Sequence, residues 1–237
     1  MQETPTLPMT PPADPAAVPP LRHGDRLTRD EFERRYIAMP HVKKAELIDG
    51  VVYMPSPVRY RRHGLPHGHL HTWLGVYEAA TPGVKGTIDT TVRLDLGTEP
   101  QPDSMLFIDP ARGGQVRIST DDYVERGPDL AAEISASTAG LDLGGKLLAY
   151  QRNGVCEYIV WRVPEQQLDW FVLRGGRYET LPPDADGVFH SEVFPGLWLD
   201  AAALLRGDLA AVLTCVQKGT ATPEHAAFVD RLAATRY

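Results

Sequence analysis

The chain has 237 residues with a net charge of -7, from 31 acidic and 24 basic side chains. Its hydrophobic fraction of 43% is that of a water-soluble globular chain of one ordinary domain with tails. Two distant cysteines, Cys156 and Cys215, exclude a disulfide framework, and the acidic balance counts against a broad phosphate-tracking surface.

No apolar run reaches the roughly 18 residues a membrane-spanning helix needs, and the start of the chain lacks a signal-peptide pattern. A cytoplasmic location is the expectation. Residues 1–24 read as a disordered tail, because seven of the first twenty residues are proline and large apolar side chains are almost absent. Residues 25–200 are expected to form the folded domain, and residues 201–237 a helical extension.

Folding is expected to begin at "LTRDEFERRYIAM", where Thr28 and Glu31 make a capping-box signature and Phe32, Tyr36 and Ile37 a helical stripe. "AELIDGVVYMP" reads as a hairpin turning at Asp49-Gly50, with Glu46 on its first arm. "PHGHLHTWLGVYEAA" predicts a helix with His67, Leu70, His71, Leu74 and Tyr77 on one face. "GTIDTTVRLDL" and "PDSMLFID" predict strands, the second with Asp103 at its start. A buried strand at 129–135 carries Glu133. A helix follows over "STAGLDLGGKLLAYQRNG", closed by Gly154, and then the strand "VCEYIVWRV". "LDWFVLRGGRYETL" is a hairpin at Gly175-Gly176, "FPGLWLD" closes the sheet region, and helices are expected over 201–217 and 223–235. Helices before and between the strands make the class mixed α/β.

Glu133 poses the chemical question, since a carboxylate inside the apolar run "LAAEIS" needs a partner. Singly, Glu46 reads as an outward strand residue, Asp103 as a turn residue and Glu133 as the partner of an arginine. Together the three suggest a shared site for a hard divalent cation, which prefers carboxylate oxygens and offsets their desolvation. Lys146 is the candidate cation beside it. Asp142, Lys146 and Tyr150 are spaced by four and share a helix face, although an exposed Asp142–Lys146 pair explains that spacing as well.

Glu46 in "ELIDG", Asp103 in "QPD", Glu133 in "AAEIS" and the following "DLGGKLLAYQRNGVCEYIVW" resemble, in order and spacing, the Uma family of restriction-endonuclease-like proteins. That family lies in the PD-(D/E)xK nuclease superfamily, and the resemblance covers about residues 27–200. It implies a restriction-endonuclease-like core, a central mixed sheet flanked by helices, here with extra C-terminal helices. It also implies a metal-dependent endonuclease acting on nucleic acid, DNA in the first instance, with Mg²⁺ or Mn²⁺ as cofactor. By position, Asp103 and Glu133 would bind the metal, Lys146 would be the catalytic lysine, and Glu46 the acidic residue from the hairpin. His67, Asp142 and Tyr150 would support the site from behind. Ser135 departs from the superfamily pattern, standing where the lysine usually follows the second carboxylate on the same strand.

Two further features stand beside this reading. "RYRRHGLPHGHLH" is the densest basic patch, open to reading as a phosphate contact or as a solvated loop. His67 and His71 have the spacing of a metal-binding pair but lack a nearby third ligand. The rival function is a non-catalytic nucleic-acid- or protein-binding module on the same fold, and the C-terminal helices are expected either to cover the sheet or to join two copies as a homodimer.

Overall fold

The computed structural model describes residues 18–235, and most of the Pro-rich tail lies outside them. Helix α1 (Arg29–Ile37) starts where expected, with the Thr28 hydroxyl accepting from the Glu31 amide. Phe32 is buried, but Ile37 is 73% exposed, so the apolar stripe ends one residue short of the helix. The hairpin β1 (Glu46–Ile48) and β2 (Val51–Tyr53) turns at Asp49 and Gly50, whose φ values of 51° and 74° are the positive ones that a tight two-residue turn requires. Leu21, Phe32, Ala45, Leu47 and Val52 form a small core beneath it.

A π-type helical turn, Tyr60–Gly64, leads into α2 (Leu65–Ala80), which buries Leu70, Trp73, Leu74 and Tyr77. The single strand expected over 86–96 is instead β3 (Val84–Ile88) and a short β4 (Val92–Arg93). Asp89 lies between them at a φ of 47°, which interrupts extended backbone. Next come β5 (Ser104–Ile108) and the small strands β6 (Arg117–Ile118) and β7 (Val124–Glu125), which join β4 in a separate three-stranded sheet.

Strand β8 (Leu130–Ser135) is buried along its whole length. The helical crossover after it runs through α3 (Ala139–Leu141), a π-type stretch Asp142–Lys146 and α4 (Leu147–Arg152), ending at Gly154 with a φ of 74°. It returns to β9 (Glu157–Arg162), which pairs parallel to β8 as a helical crossover requires. Strands β10 (Gln167–Arg174) and β11 (Arg177–Thr180) form the expected hairpin at Gly175-Gly176. The principal sheet has the order β11-β10-β9-β8-β5-β3, antiparallel except for the β8–β9 pair.

A second hairpin, β12 (Val188–His190) with β13 (Trp198–Asp200), precedes α5 (Ala201–Leu205), α6 (Leu209–Thr220) and α7 (Pro223–Ala234). The one helix expected over 201–217 is broken at Gly207, whose φ is 80°. Val212, Val216, Phe228 and Leu232 join Leu70, Trp73, Leu130, Ile134 and Trp161 in the main core, so the C-terminal helices complete the layer over one face of the sheet. The other face is covered by the crossover, where Tyr150 packs on Ala131, Tyr158 and Val160. Helices on both sides of a mixed sheet therefore place β8 at the centre, with alternate side chains in two different environments. Among the described residues no helix is long and apolar enough to cross a membrane.

Candidate active site

Strand alternation sends Leu130, Ala132 and Ile134 into the main core and turns Ala131, Glu133 and Ser135 toward the crossover. The β5–β8 register pairs Ser104 with Ala132, and its continuation sets Asp103 opposite Glu133. The Ile134 amide confirms this alignment by donating to Asp103 Oδ2 at 2.8 Å. Two carboxylates thus face each other where β5 begins and β8 ends, with exposures of 2% and 3%.

Lys146 answers Glu133. Its Nζ donates to Glu133 Oε1 at 2.9 Å, lies 2.8 Å from Glu46 Oε1 and 3.9 Å from Asp142 Oδ1. The Tyr150 hydroxyl donates to the same Glu133 oxygen at 3.0 Å. Glu46 is brought in by the hairpin, which is tied to the main body where Leu47 and Glu99 exchange backbone hydrogen bonds and the Gln101 amide donates to Glu46 Oε1. Asp142 is held by the Thr138 hydroxyl. The helix-borne lysine therefore reaches the face of β8 that Ser135 also occupies, and a lysine at position 135 would have approached from that same face.

Asp103 has a different set of partners. Lys44 Nζ donates to its Oδ1 at 2.9 Å, His63 Nε2 lies 3.2 Å from Oδ2, and His67 Nε2 lies 2.6 Å from its backbone oxygen. Lys44 and His63 were not singled out from sequence. Lys44 had a signal, since it stands two residues before Glu46 and so shares its side of an extended segment. His63 was visible only as one of four histidines in the basic patch. His71 does not join this group; the ring packed edge-on against His67 is that of His63.

The electrostatics follow from burial and charge number. Lys44 and Lys146 face the buried carboxylates of Glu46, Asp103, Glu133 and Asp142; Lys44 also meets the exposed Asp89 at 2.9 Å and His63 stands beside Asp103, so acidic groups outnumber basic ones by five to three. Burial would depress the Lys146 ammonium, but Glu133, Glu46 and Asp142 outweigh it and hold the lysine charged, well above its ordinary range. Burial pushes Glu133 up to about 8, against the pull of Lys146 and with added repulsion from Asp103, Asp142 and Glu46. Asp142 is raised by burial too, Lys146 and the Thr138 hydroxyl opposing. Asp103 goes the other way: burial resists its ionisation, but the His63 hydrogen bond, Lys44 and the Ile134 amide hold it well below the usual carboxylate range.

Among the described residues no three His, Cys, Asp or Glu side chains already form a ligand cluster, because the two lysines stand between the carboxylates. The donor set nonetheless fits a hard divalent cation. Asp103 and Glu133 offer carboxylate oxygens from adjacent strands, Glu133 makes its two hydrogen bonds through Oε1 alone, and acidic groups are in excess around them.

The fold is shared with a solved structure, "a putative nuclease belonging to DUF820" from Anabaena variabilis. The two superpose with a TM-score of 0.56 at 14% sequence identity, over 73% of this chain and 97% of that one. No curated protein matches the chain. A family profile described as "Putative restriction endonuclease" matches residues 29–202, from the first residue of α1 into α5, and the chain therefore belongs to the Uma2 family.

Proposed function

We propose that the chain is a divalent-metal-dependent endonuclease that hydrolyses phosphodiester bonds in nucleic acid, DNA in the first instance. One observation carries this reading: four buried carboxylates converge on two lysines and one histidine, with Asp103 and Glu133 opposed on neighbouring strands. Purely structural ion pairs tend toward balance, because each uncompensated buried charge is costly. An excess of acidic groups at the end of a central strand, with Glu133 resisting ionisation for want of a further cation, is what a cation site has before it is filled.

In this reading Asp103 and Glu133 hold Mg²⁺ or Mn²⁺, and Glu46 completes the acidic set from the hairpin. When bound, such an ion polarises a phosphoryl oxygen and lowers the pKa of a coordinated water. Lys146 is held charged, which suits it to fixing Glu133 and Glu46 and to stabilising negative charge rather than to accepting a proton. Lys44 is the more open of the two lysines and stands beside Asp103, where an ammonium can meet a phosphate oxygen. His63 and His67 orient Asp103, one through its carboxylate and one through its backbone oxygen.

The rival is a non-catalytic binding module, favoured by the fact that both lysines are already engaged by carboxylates. The two readings separate on metal. Purified protein is expected to cleave plasmid or single-stranded DNA with Mg²⁺ or Mn²⁺ and not with chelator, and its unfolding midpoint is expected to rise with metal saturation. Absence of both effects at millimolar metal would favour the module. Cleavage that survives in Asp103→Ala and Glu133→Ala would place the chemistry elsewhere.

A further inference from the structure

A cleft of about 420 Å³ lies on the other side of the turn that carries His63. It opens between the start of α2 and the corner after α5, and Tyr60, Arg61, His69, Trp161, Gln166 and Arg206 are among its walls. Trp161 neighbours Val160, the residue paired with Glu133, but alternation turns it to the opposite face of the sheet. The cleft is thus separate from the carboxylate site, yet the turn Tyr60–Gly64 borders both. His63 meets Asp103 from that turn, while Tyr60 and Arg61 line the cleft.

The charge pattern of this segment is unlike the rest of the chain. From Gly50 to Tyr77 there is no acidic residue, in a protein whose acidic side chains outnumber its basic ones by 31 to 24. Arg59, Arg61 and Arg62 are all exposed and make no ion pair among the described residues. Tyr60, between them, is 70% exposed, an unusual position for a large aromatic ring without a partner. Arg61 lines the cleft together with Tyr60, Trp161 and Leu204, and Arg59 and Arg62 flank it in sequence, which combines phosphate attraction with a stacking platform. The volume is within the range of small-ligand sites and suits a base with its sugar. A base paired inside a duplex cannot enter such a cleft, whereas an unpaired one can.

We propose that this cleft is a subsite for an unpaired nucleotide, holding a single-stranded segment that passes over the Tyr60–Gly64 turn toward the carboxylates. The base stacks against Tyr60 within the cleft, and Arg61 and Arg206 engage the flanking phosphates. Arg206 is shared with Asp208 at 3.4 Å in an exposed pair, which leaves its guanidinium free to exchange partners. The inference rests on the nuclease reading and adds a preference for single-stranded or locally opened substrate.

The test uses the full chain and fluorescence anisotropy, with a labelled single-stranded 12-mer DNA, the matched duplex and a glutamate-rich peptide, with and without Mn²⁺. The parent is expected to prefer the single strand. Tyr60→Ala is expected to weaken single-strand binding at least fivefold and duplex binding much less. Arg61→Ala and Arg206→Ala are each expected to lower the salt dependence by about one ion. Unchanged circular-dichroism melting of these surface variants controls for folding. If the parent binds and cleaves DNA but the three variants bind the single strand as it does, the subsite is wrong and the nuclease reading stands. Tighter capture of the acidic peptide than of DNA also overturns the subsite. If the parent neither binds nor cleaves nucleic acid under any condition, both readings fall together.

Discussion

Lys146 Nζ and Glu133 Oε1 meet at 2.9 Å across the gap between the crossover helix and the central strand, although the residues are 13 apart in sequence. The lysine has no other route to its charge balance, since Glu46 and Asp142 are its remaining neighbours and all four groups are buried. It therefore ties together the hairpin, the strand and the crossover, and its removal exposes the whole acidic set to mutual repulsion.

Lys146→Ala is accordingly expected to destabilise the protein by about 3–5 kcal/mol, the usual cost of stranding buried charge. Lys146→Met combined with Glu133→Gln is expected to recover part of that loss, because one buried charge disappears with the other. Urea denaturation of the two variants at neutral pH measures both. A loss below 1 kcal/mol for Lys146→Ala would show that the carboxylates are not held by this lysine.

Lys44 is expected to behave differently. It is more open than Lys146 and lies at the mouth beside Asp103. Lys44→Met is expected to lower kcat/KM by about tenfold, equivalent to roughly 1.4 kcal/mol, while shifting the unfolding midpoint less than Lys146→Met does. Asp103→Asn keeps an acceptor for the Ile134 amide but removes the charge, so a fall in kcat of about 10²-fold or more with a near-normal fold is expected. Equal stability losses in Lys44→Met and Lys146→Met, without a kinetic difference, would contradict this division of labour.

Metal-free stability is expected to fall as pH rises from weak acid to neutrality. Glu157, buried on β9 beneath the loop it anchors through the Glu192 and Val193 amides, is pushed up to about 7 by burial despite those hydrogen bonds and that of Ser191. Burial, with the nearby Glu33 carboxyl, pushes Glu99 up to about 8. Both values exceed the 4.5 of an unfolded glutamate, so the folded state holds these protons longer. Their contribution is complete below about pH 4.5 and is lost as pH rises through 7 to 8. Asp103, displaced downward, works in the opposite window and loses its contribution below about pH 4. Denaturation midpoints across pH 4–8 should show the decline, and Glu157→Gln with Glu99→Gln should make it shallower, leaving the share that Glu133 contributes. A flat profile in the parent would count against both assignments.

Packing of the C-terminal helices makes a final prediction. An added Cβ at Gly219 on α6 would run into the Gly196 carbonyl and the Trp198 ring, so Gly219→Ala is expected to cost about 1–3 kcal/mol. Gly75 lies in α2 with open space around it, and Gly75→Ala is expected to stabilise by about 0.4–1 kcal/mol through the unfolded chain. Thermal unfolding of the pair would separate them, and a neutral Gly219→Ala would mean that α6 does not sit tightly on the β12–β13 hairpin.

Local chemistry was legible without coordinates wherever neighbours in sequence decide the outcome. The Thr28 cap, the Asp49-Gly50 and Gly175-Gly176 turns, the buried character of 130–135 and the stop at Gly154 all follow from backbone preferences and apolar patterning. The same reasoning failed at Asp89 and Gly207, where one residue at positive φ divides a run whose side chains alone look continuous. Four of the converging groups, Glu46, Asp103, Glu133 and Lys146, were recognisable as chemically out of place or as matching a family pattern. Asp142, Tyr150 and His67 were singled out beside them, but Lys44 and His63 were not. Only the β5–β8 register sets Asp103 against Glu133, and only the packing of the crossover carries Lys146 into the place Ser135 leaves. Lys44 and His63 reach Asp103 from segments 59 and 40 residues away. A charge balance of this kind depends on distances in space, which sequence spacing determines within a helix or hairpin and tertiary packing determines everywhere else.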